Sequence, residues 1–339
     1  MSTTLFFLVP IGMLAVVWSF CFVGACFPTS GIPGGPSTPY SNTILQEQSL
    51  IAYWPLSDLP NSPPPAGAPA LPMPPQGSTG LGTALDLSGN NHNGTYIAPP
   101  AYPSGTTVPQ IGANPTLNLH QTSIVPGDGF VSGSKNLPFC VDFEGGYVSI
   151  PWAANSPSLS DFTFEAWIEP RWNVTGFDWI VFSARTNNNT GFVIHINQQN
   201  QWLLTVGTGT ALTAINTGVS AAVNGGLTYV ALTFKSETQV LSLWINPDSD
   251  TSAPPTANWP PPGTTTTYAA IDQTQPATFF IGAGDNQDAQ TPRTAAGGLG
   301  APLAPFQGKI QSVALYSTAL ESTDLAAHFA DGASSDTDS

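Results

Sequence analysis

Charged residues are scarce in this chain, and basic ones are scarcest. Asp, Glu, Lys and Arg make up 8% of the 339 residues, far below the ~25% usual in soluble domains. Six Lys and Arg residues stand against 21 Asp and Glu residues, which gives a net charge of −15. The basic residues are scattered singly, so nothing is present to neutralise a run of phosphates. We therefore expect no nucleic-acid partner and a surface built largely of uncharged polar residues and Pro.

Cysteine is also rare, with three residues in the chain. Cys21 and Cys26 lie in an apolar N-terminal segment, which leaves Cys140 alone in the remainder. Neither a disulfide framework nor a CxxC metal site can be drawn from this spacing. Cys140 stands beside Val141 on a predicted strand, so we expect it to be a small buried apolar side chain.

Charge is absent altogether from residues 5–27, LFFLVPIGMLAVVWSFCFVGACF. As a helix, about 23 residues at ~1.5 Å each would cross the ~30 Å hydrocarbon core of a bilayer. The first basic residue is Lys135, so the basic region of a secretory signal is missing. An uncleaved anchor is favoured; a cleaved signal, or a lipoprotein lipidated at Cys26 of the lipobox-like Val23–Cys26, is the alternative. The domain is then expected outside the cell, tethered to a membrane, secreted or on a virion surface.

Beyond this anchor (1–27), the composition predicts a Pro/Gly/Ser linker at 28–49, one domain at 50–332 and an acidic tail at 333–339. Three Pro-rich stretches, 62–77, 98–129 and 247–276, are predicted surface insertions. The domain itself consists of short apolar stretches separated by Gly, Asn, Pro and Ser, which indicates an all-β sandwich of two antiparallel sheets. One short helix is predicted at Ser322–Ala330, with Asp324 in its first turn.

The stretch Phe162–Glu169 shows the alternation that places side chains on opposite faces of a strand. Phe162, Phe164, Ala166 and Ile168 share the predicted core face, and Thr163, Glu165, Trp167 and Glu169 share the other. Glu165 and Glu169 would then be solvated acids about 13 Å apart along the strand. A glycosidase needs its two carboxylates within roughly 5–9.5 Å, and no Gly-x-Ser-x-Gly elbow is present. The sequence therefore predicts a protein that is not an enzyme.

The ordered blocks of the domain resemble the laminin-G-like branch of the concanavalin A-like lectin/glucanase superfamily. The resemblance covers about Leu50 to Phe329, interrupted by the three insertions, and is carried by these segments: LIAYWPLSD, ALDLSGNNHNGTY, VDFEGGYVSIP, FTFEAWIEP, IVFSA, GFVIHIN, WLLTVG, TYVALTFK, LSLWIN, FFIGAG and FQGKIQSVALYSTALESTDLAAHF. It implies a jelly-roll fold and a module that binds glycans or proteins, or serves in adhesion. Some relatives are glycoside hydrolases.

The same resemblance implies a structural Ca²⁺ that ties an early Asp-x-Ser-Gly-Asn loop to the final strand. Asp86 and Asn90 match that loop, and Glu144 stands where relatives often have Asp. Carboxylate and amide oxygens are the ligands that this cation prefers. Gln311 stands where an acid is common, which lowers the charge offered to the ion. An Asp/Asn turn that bonds only its own backbone is the alternative interpretation.

Aromatic side chains in predicted loops offer faces on which sugar rings can stack. Trp152, Trp172 and Trp259 occupy such positions, and Asn173 adjoins one of them. Each ring could equally cap the edge of the core. The resulting prediction is a surface-displayed module that binds a glycan or a surface protein. The alternative is a structural component of a virion, filament or cell envelope, in which the sandwich would form a homo-oligomer or an assembly subunit.

Overall fold

The computed structural model describes residues 39–58, 80–98, 116–125, 139–154, 156–171, 178–186, 189–221, 226–247, 257–259, 268–271, 277–284 and 305–333. Two helices and sixteen strands lie within these ranges. In chain order they are α1 Pro39–Gln46, β1 Leu50–Trp54, β2 Gly80–Ala84, β3 Gly94–Ile97, β4 Thr116–Thr122, β5 Phe139–Glu144, β6 Tyr147–Trp152, β7 Phe162–Pro170, β8 Trp179–Thr186, β9 Thr190–Ile196, β10 Gln201–Gly207, β11 Leu212–Ser220, β12 Thr228–Lys235, β13 Val240–Ile245, β14 Ala257–Trp259, β15 Ala277–Ile281, β16 Gln307–Tyr316 and α2 Ser322–Ala333.

The strands form two eight-stranded sheets whose pairings, as described, are antiparallel apart from one isolated bridge. Sheet A has the order β14-β13-β12-β7-β16-β5-β4, and β1 also pairs with β16. Sheet B has the order β11-β10-β9-β8-β15-β6-β3-β2. The inner faces of both sheets contribute to one apolar core. The predicted sandwich of two antiparallel sheets is therefore confirmed.

The core face of β7 follows the predicted alternation. Phe162, Phe164, Ala166 and Ile168 are all fully buried. Phe162 stacks on Phe192 of sheet B with ring centroids 4.2 Å apart. Strands rich in large apolar residues at every second position can bury them only between two layers, and this packing fixes the register of β7.

Helices α1 and α2 contact each other, and with the outer face of sheet A they form a second apolar cluster. The predicted C-terminal helix is confirmed and extends to Ala333. Residues 39–46 were predicted as part of the linker, and the structure corrects this because they form α1. Tyr40 and Ile44, four residues apart on that helix, are fully buried. This spacing places both side chains on one face of an amphipathic helix, and that face packs into the second apolar cluster.

The two helices also overturn the prediction that Glu165 is solvated. Its side chain is fully buried because the outer face of β7 is covered. Trp167, on the same face, stacks on Phe329 of α2 with ring centroids 5.8 Å apart. Glu169, near the end of the strand, is half-buried and lies 3.8 Å from Lys309. Alternation along a strand gives the face of a residue, and burial depends on what packs against that face.

The predicted membrane or signal segment lies outside the described residues and stays a prediction. Neither of the two helices in the ranges given above has the length and apolarity that crossing a bilayer requires. Cys140 is fully buried in the cluster beneath the helices, as expected. Burial raises the pKa of its thiol to about 12.

Candidate functional site

The predicted Asp-x-Ser-Gly-Asn loop is held by hydrogen bonds from its own backbone and from β1. Asp86 Oδ1 accepts from Tyr53 N at 2.9 Å and from Ser88 N at 2.9 Å. Asp86 Oδ2 accepts from His92 N at 2.8 Å, and Asp86 N donates to Asn93 Oδ1 at 2.8 Å. Both carboxylate oxygens are thus used by N–H donors. This is the pattern of an Asx turn that organises a loop.

Asn90 and Ser88 tie the same loop to the first strand. The Asn90 side-chain amide donates to Ile51 O at 2.8 Å, and the Ser88 hydroxyl donates to Ile51 O at 3.0 Å. Asn90 and the next residue, Asn91, remain exposed at the tip. Asn91 has a φ of 62°, which Asn tolerates better than most residues. Asn91 is therefore presented to solvent, while the amide nitrogen of exposed Asn90 is held by β1.

His92 connects this loop to Trp152, so the structure brings together residues predicted for two different sites. The ring of His92 stacks on Trp152 with centroids 4.1 Å apart, and Trp152 stacks on Phe279 at 4.4 Å. Trp152 is only 2% exposed, while His92 is half-buried. Trp152 thus caps the core, and the ring that reaches the surface is that of His92. Sequence reasoning missed His92, although its place after the Asn-Asn pair of the loop was a usable signal.

The environment of His92 keeps its imidazole neutral. Burial lowers the pKa of His92, and the nearby charge of Asp86 only partly opposes this. The His92 carbonyl accepts a hydrogen bond from Trp54 Nε1 at 2.7 Å, which fixes the backbone beneath the ring. A neutral ring on a fixed backbone can offer an apolar face and one ring nitrogen to a ligand.

Asp58 supports the loop from within. It accepts hydrogen bonds from Tyr96 OH at 2.8 Å and from Leu85 N at 3.3 Å. Burial raises the pKa of Asp58 to about 6, although both hydrogen bonds favour the carboxylate. Asp58 therefore holds the backbone of Leu85, and Asp86 anchors the turn that follows. The loop is fixed at these two adjacent positions.

The structure does not bring Glu144 to Asp86. Tyr53, which donates to Asp86, pairs with Ala314 on β16. Glu144 pairs with Gln307, seven residues earlier on the same strand. At ~3.3 Å per residue the two acids lie roughly 20 Å apart, too far to share one ion at ~2.4 Å from each ligand.

Glu144 instead forms an ion pair with Arg171, near the start of β16. Arg171 donates to both Glu144 and Asp142, which are two residues apart on β5. Burial raises the pKa of Asp142 to about 6, and the charge of Arg171 opposes the shift. No group of three or more His, Cys, Asp or Glu side chains suited to a metal occurs among the residues that the structure describes. Calcium binding stays a prediction.

Of the remaining predicted ligand residues, the structure describes the backbone of Trp259. Trp259 lies on β14, the edge strand of sheet A, where it pairs with Leu241. Trp172 and Asn173 lie outside the described residues. Their assignment to a ligand site, like that of Trp152, stays a prediction.

A buried polar centre lies under the two helices, and sequence reasoning missed it. Glu165 Oε1 accepts from Tyr316 OH at 2.7 Å, and Glu165 Oε2 accepts from Tyr229 OH and lies 3.0 Å from His328 Nδ1. His328 Nε2 lies 3.4 Å from Glu47 Oε1. Burial opposes ionisation of Glu165, but the charge of His328 and three hydrogen bonds lower the pKa of its carboxyl. This centre joins the central strand to α2 and to the residue that follows α1, and the burial of Glu165 and His328 indicates a structural role.

A second buried histidine lies on the outer face of sheet B. His195 Nε2 lies 3.1 Å from Thr205 Oγ1, and His195 Nδ1 lies 3.8 Å from Asp178 Oδ2. The order Asp-His-Thr resembles that of a hydrolase triad, but the distance to Asp178 exceeds a hydrogen bond. Thr205 is only 4% exposed and His195 is fully buried. A nucleophile needs access to its substrate, so this geometry does not amount to a catalytic site.

Two facing antiparallel sheets with loops at their rim define the class of this protein as a β-sandwich. Within it, residues 142–286 match the family model described as "Concanavalin A-like lectin/glucanases superfamily". This segment is a domain of that superfamily, which confirms the resemblance drawn from the sequence. No curated protein matches the chain.

Several solved structures are similar to this chain at low identity. A structure described as the receptor binding domain has 13% identity and a TM-score of 0.47, over 86% of this chain and 52% of that one. The binding domain of botulinum neurotoxin DC in complex with SialylT has 14% identity and a TM-score of 0.40, over 64% and 47%. Domain 4 of AbnA, an extracellular arabinanase from Geobacillus stearothermophilus, in complex with arabinotriose, has 15% identity and a TM-score of 0.42, over 72% and 91%. The chain spans about half the length of the first two. Similarity at this level bears on neither ligand nor activity.

Proposed function

We propose that this domain is a non-catalytic glycan-binding module, and that the rim formed by residues 90–92, which buried Trp152 supports from beneath, contacts the sugar. One observation carries the proposal. The ring stack of Phe279, Trp152 and His92 ends at the surface beside the exposed Asn90 and Asn91.

The chemistry of this rim suits a neutral sugar. A pyranose ring offers C–H groups on one face and hydroxyls around its edge. A neutral aromatic ring with amide donors and acceptors beside it complements both features. The hydrogen bonds of Asp86 hold the loop before any ligand arrives, which reduces the entropy lost on binding. The chain is strongly acidic, so uncharged or cationic glycans are favoured over sialylated or sulfated ones.

The family assignment supports this class without separating lectins from glucanases. A hydrolase would need two carboxylates placed across a sugar bond. In the described structure, the central strand carries two acids: Glu165 is fully buried and bound to two tyrosines and a histidine, and Glu169 lies 3.8 Å from Lys309. The observed use of Glu165 therefore supports the proposal of binding without hydrolysis.

A glycan array probed with the full chain tests the proposal, with variants that separate the rim from the rest of the surface. Asn91→Gly removes an exposed amide while keeping the positive φ that Gly adopts freely. Asn200→Gly makes the same substitution at a half-buried turn position, where Asn200 has a φ of 59°. We expect Asn91→Gly and His92→Ala to weaken any array signal about tenfold or more and Asn200→Gly to leave it unchanged. Equal binding by all three variants would move the site elsewhere, and an array without signal would remove the glycan proposal.

Two further proposals concern parts that the described structure leaves open. Ca²⁺ binding at Asp86 and Asn90 would compete with the three N–H donors that now contact the two carboxylate oxygens of Asp86. A melting temperature that rises with added Ca²⁺ and falls with Asp86→Asn would support it, and an unchanged one would exclude it.

The proposed N-terminal anchor is tested by mass spectrometry of the mature protein. An intact start indicates retention, a lipid on Cys26 a lipoprotein, and a new terminus secretion.

A further inference from the structure

We propose that two copies of this chain associate through β11, the terminal strand of sheet B, and so join their sheets edge to edge. Strand β11 pairs with β10 on one side, and no other strand of the described structure pairs with it. An edge strand of this kind carries a row of backbone donors and acceptors that can accept another strand.

The ladder between β10 and β11 shows which backbone groups are available. Thr208 N donates to Ala211 O at 2.9 Å, where the connection between the two strands closes. Because hydrogen-bonded positions alternate along an antiparallel ladder, Thr213 and Ile215 direct their N–H and C=O groups toward β10. The corresponding groups of Leu212 and Ala214 then point away from β10.

Within the part of the chain that the structure describes, the residues around these groups are at least partly accessible, and β14, besides β10, contacts β11. Each residue from Leu212 to Ser220 is half-buried or exposed. On β9, two strands further into the sheet, each residue is buried. An approaching strand would therefore meet accessible backbone along this edge.

The distribution of charge favours a second copy as the occupant. Residues 186–234 contain no Asp, Glu, Lys or Arg, although the chain as a whole carries a net charge of −15. This uncharged stretch includes the whole of β9, β10 and β11. Like-charged molecules repel, so two copies approach at least cost where neither presents a carboxylate. Native edge strands are commonly protected by Lys, Pro or an inward charge, and β11 has none of these.

The strand is also self-complementary in the geometry that a two-fold dimer needs. In an isologous antiparallel pair centred on Ala214, that residue faces its own copy, and Leu212 faces Asn216 of the partner. Alternation then gives about six new backbone hydrogen bonds. The regular pairing ends after Asn216, where the register with β10 shifts and Gly218 has a φ of 70°. A bulge of this kind limits the contact to residues 212–216, so we expect a weak dimer with a dissociation constant on the order of 100 µM.

The test is the mass of the full chain measured by sedimentation equilibrium, from about 10 µM to about 1 mM, the range in which small interfaces associate. Density-matched detergent shields residues 5–27, so that this apolar segment does not itself drive association. We expect the wild type to pass from monomer to dimer across this range. Ala214→Asp places two carboxylates opposite each other at the two-fold axis and should raise the dissociation constant at least about tenfold. Ala214→Asn has nearly the same shape without the charge and should dimerise much as the wild type does.

A second pair of variants guards against misfolding of Ala214→Asp. Leu212→Pro removes one outward N–H at the first position of the strand, where Pro is tolerated, while Leu212→Val keeps it. Only the proline variant should weaken the dimer, with an unchanged near-ultraviolet circular dichroism spectrum. A wild type that stays monomeric at about 1 mM, the upper end of that range, would overturn the proposal. So would a dimer unaffected by Ala214→Asp and Leu212→Pro. Binding of an unrelated extended peptide to the edge of a monomeric wild type would likewise replace the second copy with another partner.

Discussion

The outer faces of the two sheets each bury one histidine, and the two have opposite protonation behaviour. His328 lies between Glu165 at 3.0 Å and Glu47 at 3.4 Å. Burial alone would lower the pKa of His328, but the charges and hydrogen bonds of these two acids raise it to about 9. His195 lies 3.8 Å from Asp178 and 3.1 Å from the hydroxyl of Thr205. Burial lowers the pKa of His195 to about 3.

The difference shows that burial does not by itself decide the charge of a histidine. A carboxylate within hydrogen-bond distance offsets the loss of hydration, whereas one just beyond that distance does not. The outer face of sheet A therefore holds an ion network that joins β7, α2 and the residue that follows α1. The outer face of sheet B holds a neutral polar contact.

Glu165→Gln should give the largest effect, because it removes the charge that balances buried His328. Removing one partner of a buried ion pair costs about 3 to 5 kcal/mol. The measurement is the free energy of unfolding in urea at pH 7. Glu169→Gln is the matched control on the same strand. It loses only a half-exposed pair with Lys309 at 3.8 Å, worth about 0 to 1 kcal/mol. Equal costs for the two variants would contradict the ion network.

Alkaline pH should weaken the same network. His328 has a pKa of about 9 when folded and 6.5 as a free side chain. Its stabilisation is therefore fully present below pH 6.5 and is lost as the pH rises through 9. About 1.4 kcal/mol per pKa unit gives a loss of about 3 kcal/mol. Unfolding free energies between pH 7 and pH 10 should fall by this amount more in the wild type than in a Glu165→Gln/His328→Gln double variant. Parallel curves for the two proteins would show that His328 is not charged.

The fold could be predicted from the sequence more completely than the polar sites. Alternating apolar residues such as Phe162 and Phe164 fix both the strand and its inner face, because only a sandwich buries them. Glu165 follows the same alternation onto the outer face. Its burial depends on α1 and α2, whose contacts with β7 come from residues far away in sequence. The Asp86 loop was found by its local pattern, while the ring stack through His92 needed the position of Trp152 on another strand.

Acid pH should reveal the neutral state of His195. Its pKa is about 3 when folded and 6.5 when free, so the unfolded chain binds a proton between these values and the folded chain does not. Stability then falls as the pH drops from 6.5 toward 3. By pH 4.5 the loss attributable to His195 should be about 2.5 kcal/mol. The His195→Gln variant cannot titrate at this position and can still contact Thr205. Between pH 6.5 and pH 4.5 its free energy of unfolding should therefore fall by about 2.5 kcal/mol less than that of the wild type. Identical acid sensitivity would mean that His195 is protonated in the fold.

Thr205→Val should give the smallest of these effects, because it removes one hydrogen bond and leaves the ion network untouched. His195 Nε2 now lies 3.1 Å from the Thr205 hydroxyl, and both side chains are buried. A buried polar atom left without its partner costs about 1 to 2 kcal/mol. Thr205→Ser keeps the hydroxyl and should cost less, as measured by urea unfolding at pH 7. If Thr205→Val were instead as destabilising as Glu165→Gln, His195 would be charged in the folded protein. The two outer faces would then not differ in the charge of their buried histidines.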